Sequence, residues 1–338
     1  MKIVVTGGLG YIGSHTVVQL IQNKFDVIII DNLSNSELFI LDNIKKITGV
    51  KPIFYNVDLV DFDKTNKIFK SHKIDGIIHF AAFKSVSESV KKPIKYYNNN
   101  LISLLNILKS MKENNVSKIV FSSSCTVYGQ PDILPVSEDA PFKIAESPYA
   151  KTKQISEEII QDFIGADDNI KSISLRYFNP VGAHNSGLIG ELPIGVPDNL
   201  IPYLTQTAAK IREELFVFGN DYDTSDGTAI RDYIHVDDLA NSHLVSFERL
   251  LNNKAKDSYE FFNIGTGNGY SVLEVIKTFE KINNLKIKYS IKERRDGDIE
   301  KIYSDINKSK KILGWVSKRG LEDMMSSSWK WQKNLKRF

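Results

Sequence analysis

A chain of 338 residues with 42% hydrophobic and 25% charged residues can bury a large core and usually divides into two domains. Its net charge of +3 is small, and with no arginine-rich stripe and no zinc-finger spacing, nucleic-acid binding has no support. The single cysteine, Cys125, excludes an intrachain disulfide, and no apolar run approaches the roughly 20 residues of a membrane helix. No charged-then-apolar leader precedes the first β-type run, so a cytoplasmic enzyme is expected. The basic end "KWQKNLKRF" reads as a solvated tail.

Along the first half, short β-branched runs alternate with longer helical patterns. Strands are predicted at 2–6, 26–31, 51–58, 75–82, 117–124 and 170–178. They are nearly all apolar, as strands covered by helices on both faces must be. The segments between them are long enough for crossover helices. The pattern predicts an α/β fold, a Rossmann-type doubly wound parallel sheet. After Asn179 the pattern changes. The Gly- and Pro-rich stretch 179–202 reads as a long loop. Strands are expected at 215–219 and 259–265, and a helix from Ser271 to 283. The expected division is 1–178 for a nucleotide-binding domain, with later segments returning to it. Residues 179–338 would form mainly a second, smaller α/β domain.

"TGGLGYIG" places Gly7, Gly10 and Gly13 three residues apart, directly after a strand and at the opening of a helix. Missing side chains let a backbone approach a pyrophosphate, and a helix N-terminus supplies free N–H groups there. The spacing is GxxGxxG rather than GxGxxG, and a glycine cluster alone could be an ordinary turn. Context supports the first reading. Asp31 closes the next strand, where a carboxylate can accept from ribose hydroxyls and repel a 2′-phosphate, which favours NAD over NADP. Asp58 ends the third expected strand, within reach of an adenine amine. Phe80, Ala81 and Lys84 in "FAAFK" close the fourth, at the mouth of the crevice.

"SPYAKTK" puts Tyr149 and Lys153 four residues apart, behind a proline suited to a helix start. A phenol titrates near ~10 and is a poor base at neutral pH. A nearby ammonium favours the phenolate, which can take a hydroxyl proton as hydride leaves the same carbon. Ser124, ending the fifth strand, can hydrogen-bond the reacting oxygen. Ser122, Ser123 and Ser124 could also be strand-end caps, and a Tyr–Lys pair at this spacing is common by chance. Together, behind the glycine turn, they point to catalysis.

At this point the chain resembles the extended short-chain dehydrogenase/reductase family and, within it, the UDP-glucose 4-epimerases. The matching pieces are "VTGGLGYIGSH", "DNLSNS", "FAAFKSVSESV", "YYNNN", "FSSSCTVYG", "SPYAKTK", "LRYFNPVGAH", "VPDNLIPY", "VFGNDYDTSDGTAIRDYIHVDDLA", "NIGTG" and "RRDGD", in order over nearly the whole length. The resemblance implies a bound NAD and reversible epimerisation of UDP-glucose and UDP-galactose at C4, through a transient 4-keto sugar. Tyr149 would be the base, Lys153 its support and Ser124 the hydroxyl contact. NAD contacts would be Tyr11, Ile12, Asp31, Asn32, Asn35, Asp58, Leu59, Lys84, Asn99 and Tyr177. UDP-sugar contacts would be Lys84, Asn179, Asn199, Leu200, Phe218, Arg231, Tyr233, Arg295 and Asp298. The family usually pairs as homodimers, with the helices around 99–111 and 150–163 as candidate surfaces. His184 and His235 form no metal-ligand pattern, and no metal is expected.

Three alternatives stand beside this. A nucleotide-sugar 4,6-dehydratase needs an acid pair after the strand-five serine, where this chain has Cys125 and Thr126. A wider epimerase acting on UDP-N-acetylhexosamines is suggested by Ile302, at the position that limits room for an N-acetyl group; Tyr303 stands next to it. A non-catalytic NAD-binding sensor or structural protein would have no need to keep Ser124, Tyr149 and Lys153 together.

Overall fold

The computed structural model describes residues 1–295 and 299–335. It divides into two compact units. The first comprises Met1–Gly129, Pro141–Tyr177 and Ala240–Phe262; the second comprises Gln130–Ala140, Phe178–Leu239 and the chain from Asn263 onward.

In the first unit, strands and helices alternate: β1 (Lys2–Thr6), α1 (Tyr11–Gln22), β2 (Asp26–Asp31), α2 (Phe39–Thr48), β3 (Ile53–Asn56), α3 (Phe62–Ser71), β4 (Gly76–His79), α4 (Val86–Lys91), α5 (Pro93–Glu113), β5 (Lys118–Ser124), α6 (Pro148–Gly165) and β6 (Lys171–Tyr177). The sheet order is 3-2-1-4-5-6, with strand Tyr259–Ile264 added beside β6. Pairings among β1–β6 are parallel. Ile3, Val4 and Val5 in β1, and Ile28, Ile29 and Ile30 in β2, are wholly buried, because helices cover both faces. Leu104, Ile107, Leu108 and Ile160 join Val4, Ile28, Ile30 and Ile77 in one core cluster. The expected doubly wound sheet is present. Its order reverses between β1 and β4, so a crevice opens where their carboxyl ends diverge.

Two strands stop earlier than expected. β3 ends at Asn56, because Asp58 turns its carboxylate onto the Val60 N–H at 3.0 Å and closes a local turn. β4 ends at His79, although the Phe80 N–H still reaches the Thr6 carbonyl at 3.1 Å. The helix starts obey capping chemistry. Ser147 accepts from the Ala150 N–H ahead of Pro148, and Ser271 and Glu274 form a reciprocal capping box.

The second unit holds three small sheets and the helices Leu200–Ala208, Val272–Asn283 and Leu321–Leu335. Strand Asn179–Val181 pairs with Tyr233–His235, and Leu215–Phe218 pairs with Tyr289–Lys292. Ile230–Arg231 lies between Tyr270–Ser271 and Lys301–Ile302. The stretch 179–202 is therefore not loop throughout: it begins in a strand and ends inside a helix that Leu200 opens. Pro202 is tolerated because the first turn needs no donor there. Leu204, Val217, Val275, Ile276, Phe279 and Met325 form the core of this unit. Among the described residues, no helix is long and apolar enough to cross a membrane.

Candidate active site

Every expected cofactor contact of the first unit lies at, or just beyond, the carboxyl end of its sheet or on a helix that follows. β1 runs into the glycine turn. Gly7 has φ +66°, and a Cβ there would meet the Ala81 nitrogen at 2.9 Å. A Cβ on Gly13 would meet the Gly7 carbonyl oxygen at 2.2 Å, which no side chain can tolerate. Gly10 is the N-cap of α1, with no side-chain cap and no acidic residue in the first turn. The helix start, where Tyr11 and Ile12 stand, thus presents a positive dipole end without a side-chain cap. The Tyr11 ring lies edge-on to His15, with Lys84 Nζ 6.0 Å from its centre.

Asp31 is nearly buried at the end of β2. Its Oδ2 accepts from the Leu9 N–H at 3.0 Å, and Oδ1 accepts from the Leu33 N–H and Ser36 hydroxyl, each at 2.9 Å. This holds the carboxylate against the glycine turn while leaving acceptor capacity, since two carboxylate oxygens offer about four lone-pair sites. Asn32 donates to Asp58 Oδ2 at 3.0 Å, joining the ends of β2 and β3. Asn35 is exposed, whereas the Leu59 side chain is buried. Leu59 offers its carbonyl to Asn106 at 2.8 Å. Phe80 packs tilted against His243 with ring centres 4.6 Å apart, and Ala81 donates its N–H to the Thr6 hydroxyl at 3.3 Å. Asn99, on α5, donates to Asn100 at 3.0 Å.

The three catalytic candidates meet at β5 and α6. The Tyr149 side chain is half-buried, and its phenol lies beside the Ser124 hydroxyl. That hydroxyl accepts from the Thr126 N–H at 3.2 Å. Lys153 Nζ lies 5.9 Å from the centre of the Tyr149 ring and donates to the Ser122 carbonyl at 2.6 Å. Tyr177, at the end of β6, shares a hydrogen bond with the Ser122 hydroxyl. Burial pushes the Tyr149 phenol well above its ordinary value, with neighbouring Tyr177 adding to the rise and the Ser124 bond opposing it. Burial also pulls Lys153 down to about 8, and Glu157 pulls the other way. Burial lowers His79, beneath the site, to about 3, so it is neutral.

Apart from Lys84 and Ser124, which belong to the first unit, the residues expected to meet a nucleotide sugar are spread over the second. Arg231 donates through Nη1 to the Ile230 carbonyl at 2.9 Å, with Ile302 opposite it in the strand pairing. Asn179 pairs in register with Tyr233, and Tyr233 is packed into the core of the unit. Asn199 caps the helix that Leu200 opens and donates to Glu191 at 2.9 Å. The Arg295 guanidinium lies 4.9 Å from the centre of the Phe218 ring. Asp298 lies outside the described residues.

Several polar residues around these positions were not singled out from the sequence. Glu157, Arg176 and Tyr128 form one buried group in the first unit, joined by the half-buried Tyr259, and Asp232 is a buried acid between Arg231 and Tyr233. Two signals could have found the first group. Glu157 stands one turn beyond Lys153, and Arg176 is a lone cation in the buried run "SISLRY".

The family described as GDP-mannose 4,6 dehydratase matches residues 4–328. A UDP-glucose 4-epimerase of Bacillus subtilis (strain 168) is 49% identical over 332 residues, 98% of this chain and 97% of that protein. The solved structure of a UDP-glucose 4-epimerase from Bifidobacterium longum, in complex with NAD+ and UDP, is 47% identical and superposes with a TM-score of 0.95 over 100% of both chains. That of Stenotrophomonas maltophila, with bound NAD and formylated UDP-arabinopyranose, is 43% identical, with a TM-score of 0.96 over 100% of this chain and 99% of that one. After the serine of β5 the short turn Cys125–Tyr128 carries no acid at 125 or 126, where a dehydratase needs its acid pair. With epimerases matching it from end to end, the chain belongs to the UDP-glucose 4-epimerases of the extended short-chain dehydrogenase/reductase family.

Proposed function

We propose that Tyr149 is the acid–base group of C4 epimerisation, with Lys153 as its electrostatic support and Ser124 as the partner of the reacting oxygen. The protein is an NAD-dependent isomerase that interconverts UDP-glucose and UDP-galactose through a transient 4-keto sugar. The observation that carries the residue assignment is the juxtaposition of Tyr149 and Ser124, with Lys153 Nζ 5.9 Å from the centre of the phenol ring and bonded to the end of β5.

The glycine turn fits the cofactor, because its backbone is packed too closely for side chains and its helix start is uncapped. Gly7, Gly10, Tyr11, Ile12 and Gly13 would hold the pyrophosphate. Asp31, Asn32, Asn35, Asp58 and Leu59 would hold the adenosine, and Phe80, Ala81, Lys84, Asn99 and Tyr177 the nicotinamide side. NAD, when bound, supplies the acceptor and donor of the C4 hydride.

Tyr149 takes the C4 hydroxyl proton and later returns it to the same oxygen, while the hydride given up by C4 would come back to the opposite face of the ring, so no net redox change occurs. For that the phenolate must be accessible, and burial alone opposes it. The Lys153 ammonium offsets the cost, as does the positive charge of an oxidised nicotinamide. Ser124 orients the hydroxyl that reacts. Lys84, Asn179, Asn199, Leu200, Phe218, Arg231, Tyr233, Arg295 and Asp298 would anchor UDP-hexose, with the arginines as charge-assisted partners of its phosphates. The working enzyme would be a cytoplasmic homodimer paired through the helices around 99–111 and 150–163.

The test is incubation with UDP-galactose and no added NAD, followed by anion-exchange chromatography. UDP-glucose should appear, and Tyr149→Phe should fold yet lose turnover by about 10²-fold or more. Near-normal turnover in that variant would overturn the base assignment. A second reading concerns breadth. Ile302, expected to border an N-acetyl group, pairs with Arg231, so activity on UDP-N-acetylglucosamine is also proposed. No conversion of that substrate would remove it.

A further inference from the structure

Helix α6 carries Tyr149, Lys153 and Glu157 at i, i+4 and i+8, along one face. The first two belong to the proposed chemistry. The third does not, yet it is completely buried. Donors surround its carboxylate. Arg176 gives Nε to Oε1 at 3.0 Å and Nη2 to Oε2 at 2.6 Å. Tyr259 donates its hydroxyl to Oε2 at 2.9 Å, and Ser123 donates to Oε1. Arg176 is equally engaged. Its Nη1 donates to the Tyr128 hydroxyl at 3.0 Å, and the Phe261 and Phe142 ring centres lie 4.3 and 4.8 Å from Cζ.

A buried ion pair is a costly way to fill a core, since apolar residues of the same volume often serve stability as well. Directional bonds are what it adds, and here they converge on one serine. Ser122, Ser123 and Ser124 close β5. Ser122 receives Lys153 on its carbonyl and meets Tyr177 through its hydroxyl. Ser124 lies beside the Tyr149 phenol. Ser123, between them, is opposite Arg176 in the β5–β6 register and is bonded to Glu157. The network thus ties α6, β5, β6 and the strand Tyr259–Ile264 together at the residue flanked by both anchors of the reacting pair.

We propose that Glu157, held by Tyr259 and by an Arg176 that Tyr128 in turn anchors, is a positioning residue for epimerisation: through Ser123 it fixes the end of β5, so that Ser124 and Lys153 meet Tyr149 in reacting geometry. This rests on the assignment of Tyr149, Lys153 and Ser124 above. Glu157 also counters the effect of burial on Lys153. His79, which also faces that lysine, is neutral, and Tyr149 faces it as the group whose phenolate the lysine supports. Glu157 is the carboxylate acting on it.

The decisive variant is Ser123→Ala. It removes the hydroxyl that links network to strand and leaves the Glu157–Arg176 pair whole. Turnover of UDP-galactose by the holoenzyme should fall roughly tenfold to a hundredfold, with KM and the melting temperature nearly unchanged. A second variant, Glu157→Gln with Arg176→Gln, removes both charges together. It should lower kcat and move the alkaline limb of the pH–rate profile to lower pH, because Lys153 loses its counter-charge. Wild-type kcat in Ser123→Ala, or a change confined to KM, would overturn the proposal. An unmoved alkaline limb in a folded double variant would remove the electrostatic part; if that variant does not fold, Ser123→Ala decides alone. Tyr149→Phe run alongside separates the cases. Its retained activity would sink the site assignment itself, whereas its loss together with full activity of Ser123→Ala would sink only the role of Glu157.

Discussion

Two buried carboxylates, one in each unit, solve the same problem in different ways. Glu157 is matched by a cation, Arg176, through a forked pair. Asp232 is held by neutral donors. Thr266 gives its N–H at 2.9 Å and its hydroxyl at 2.6 Å to Oδ1. Gly267 N–H at 3.2 Å, Ser304 N–H at 3.2 Å and Ser304 hydroxyl at 2.6 Å reach Oδ2. Neutral donors do not fully replace water, and burial pushes the Asp232 carboxyl above its ordinary value despite all five. The difference suits the surroundings. Asp232 gathers loop and strand backbone around one point, where many short donors serve. Glu157 spans side chains from several elements, where the long planar guanidinium can reach and fix direction.

The largest effect on this comparison should come from Arg176→Met. It strands Glu157 without its cation and should cost about 3–5 kcal/mol of unfolding free energy, read from urea melts. A loss below about 1 kcal/mol would show that neutral donors suffice for Glu157 too. Asp232→Asn should cost less, about 1–3 kcal/mol, because an amide offers one acceptor oxygen to donors that converge on two. That variant also tests the sign of the pH effect. A carboxyl raised in the folded state binds protons more readily there than when unfolded. Its cost at neutral pH is therefore relieved as pH falls through the folded value toward the ordinary 3.8. The wild type should gain from this group on mild acidification, and Asp232→Asn should lose that gain.

Lys153 supplies a third test. Its pKa is lowered to about 8, so the ammonium that supports the phenolate is lost above that pH, and kcat should decline along a limb centred there. A flat profile to pH 10 would remove the lysine from the chemistry. The smallest effect on stability, and the most specific in function, is expected from Asp31→Ala, which removes another carboxylate held by neutral donors. NAD binding should weaken and discrimination against NADP should relax; an unchanged ratio in a binding titration would break the assignment.

Much of this was legible in the chain, where the governing geometry is local. The β-branched runs and their spacing pointed to the parallel sheet, because strands buried on both faces must be apolar throughout. Gly7, Gly10 and Gly13 could be read as a turn that tolerates no side chains. Tyr149 and Lys153 could be placed on one face because helical periodicity fixes neighbours four residues apart. Strand ends were less legible: Asp58 and Phe80 fall just beyond their strands, since side-chain and single backbone bonds take over there. What only tertiary structure decided are the partnerships between distant segments. Glu157 finds Arg176 because the β5–β6 register sets Arg176 opposite Ser123. Asp232 finds Thr266 and Ser304 in segments far along the chain, and Gln130–Ala140 joins the second unit where Val136 pairs with Ser304. Periodicity determines which face a residue turns toward its own element; the register and packing of other elements determine what it meets there.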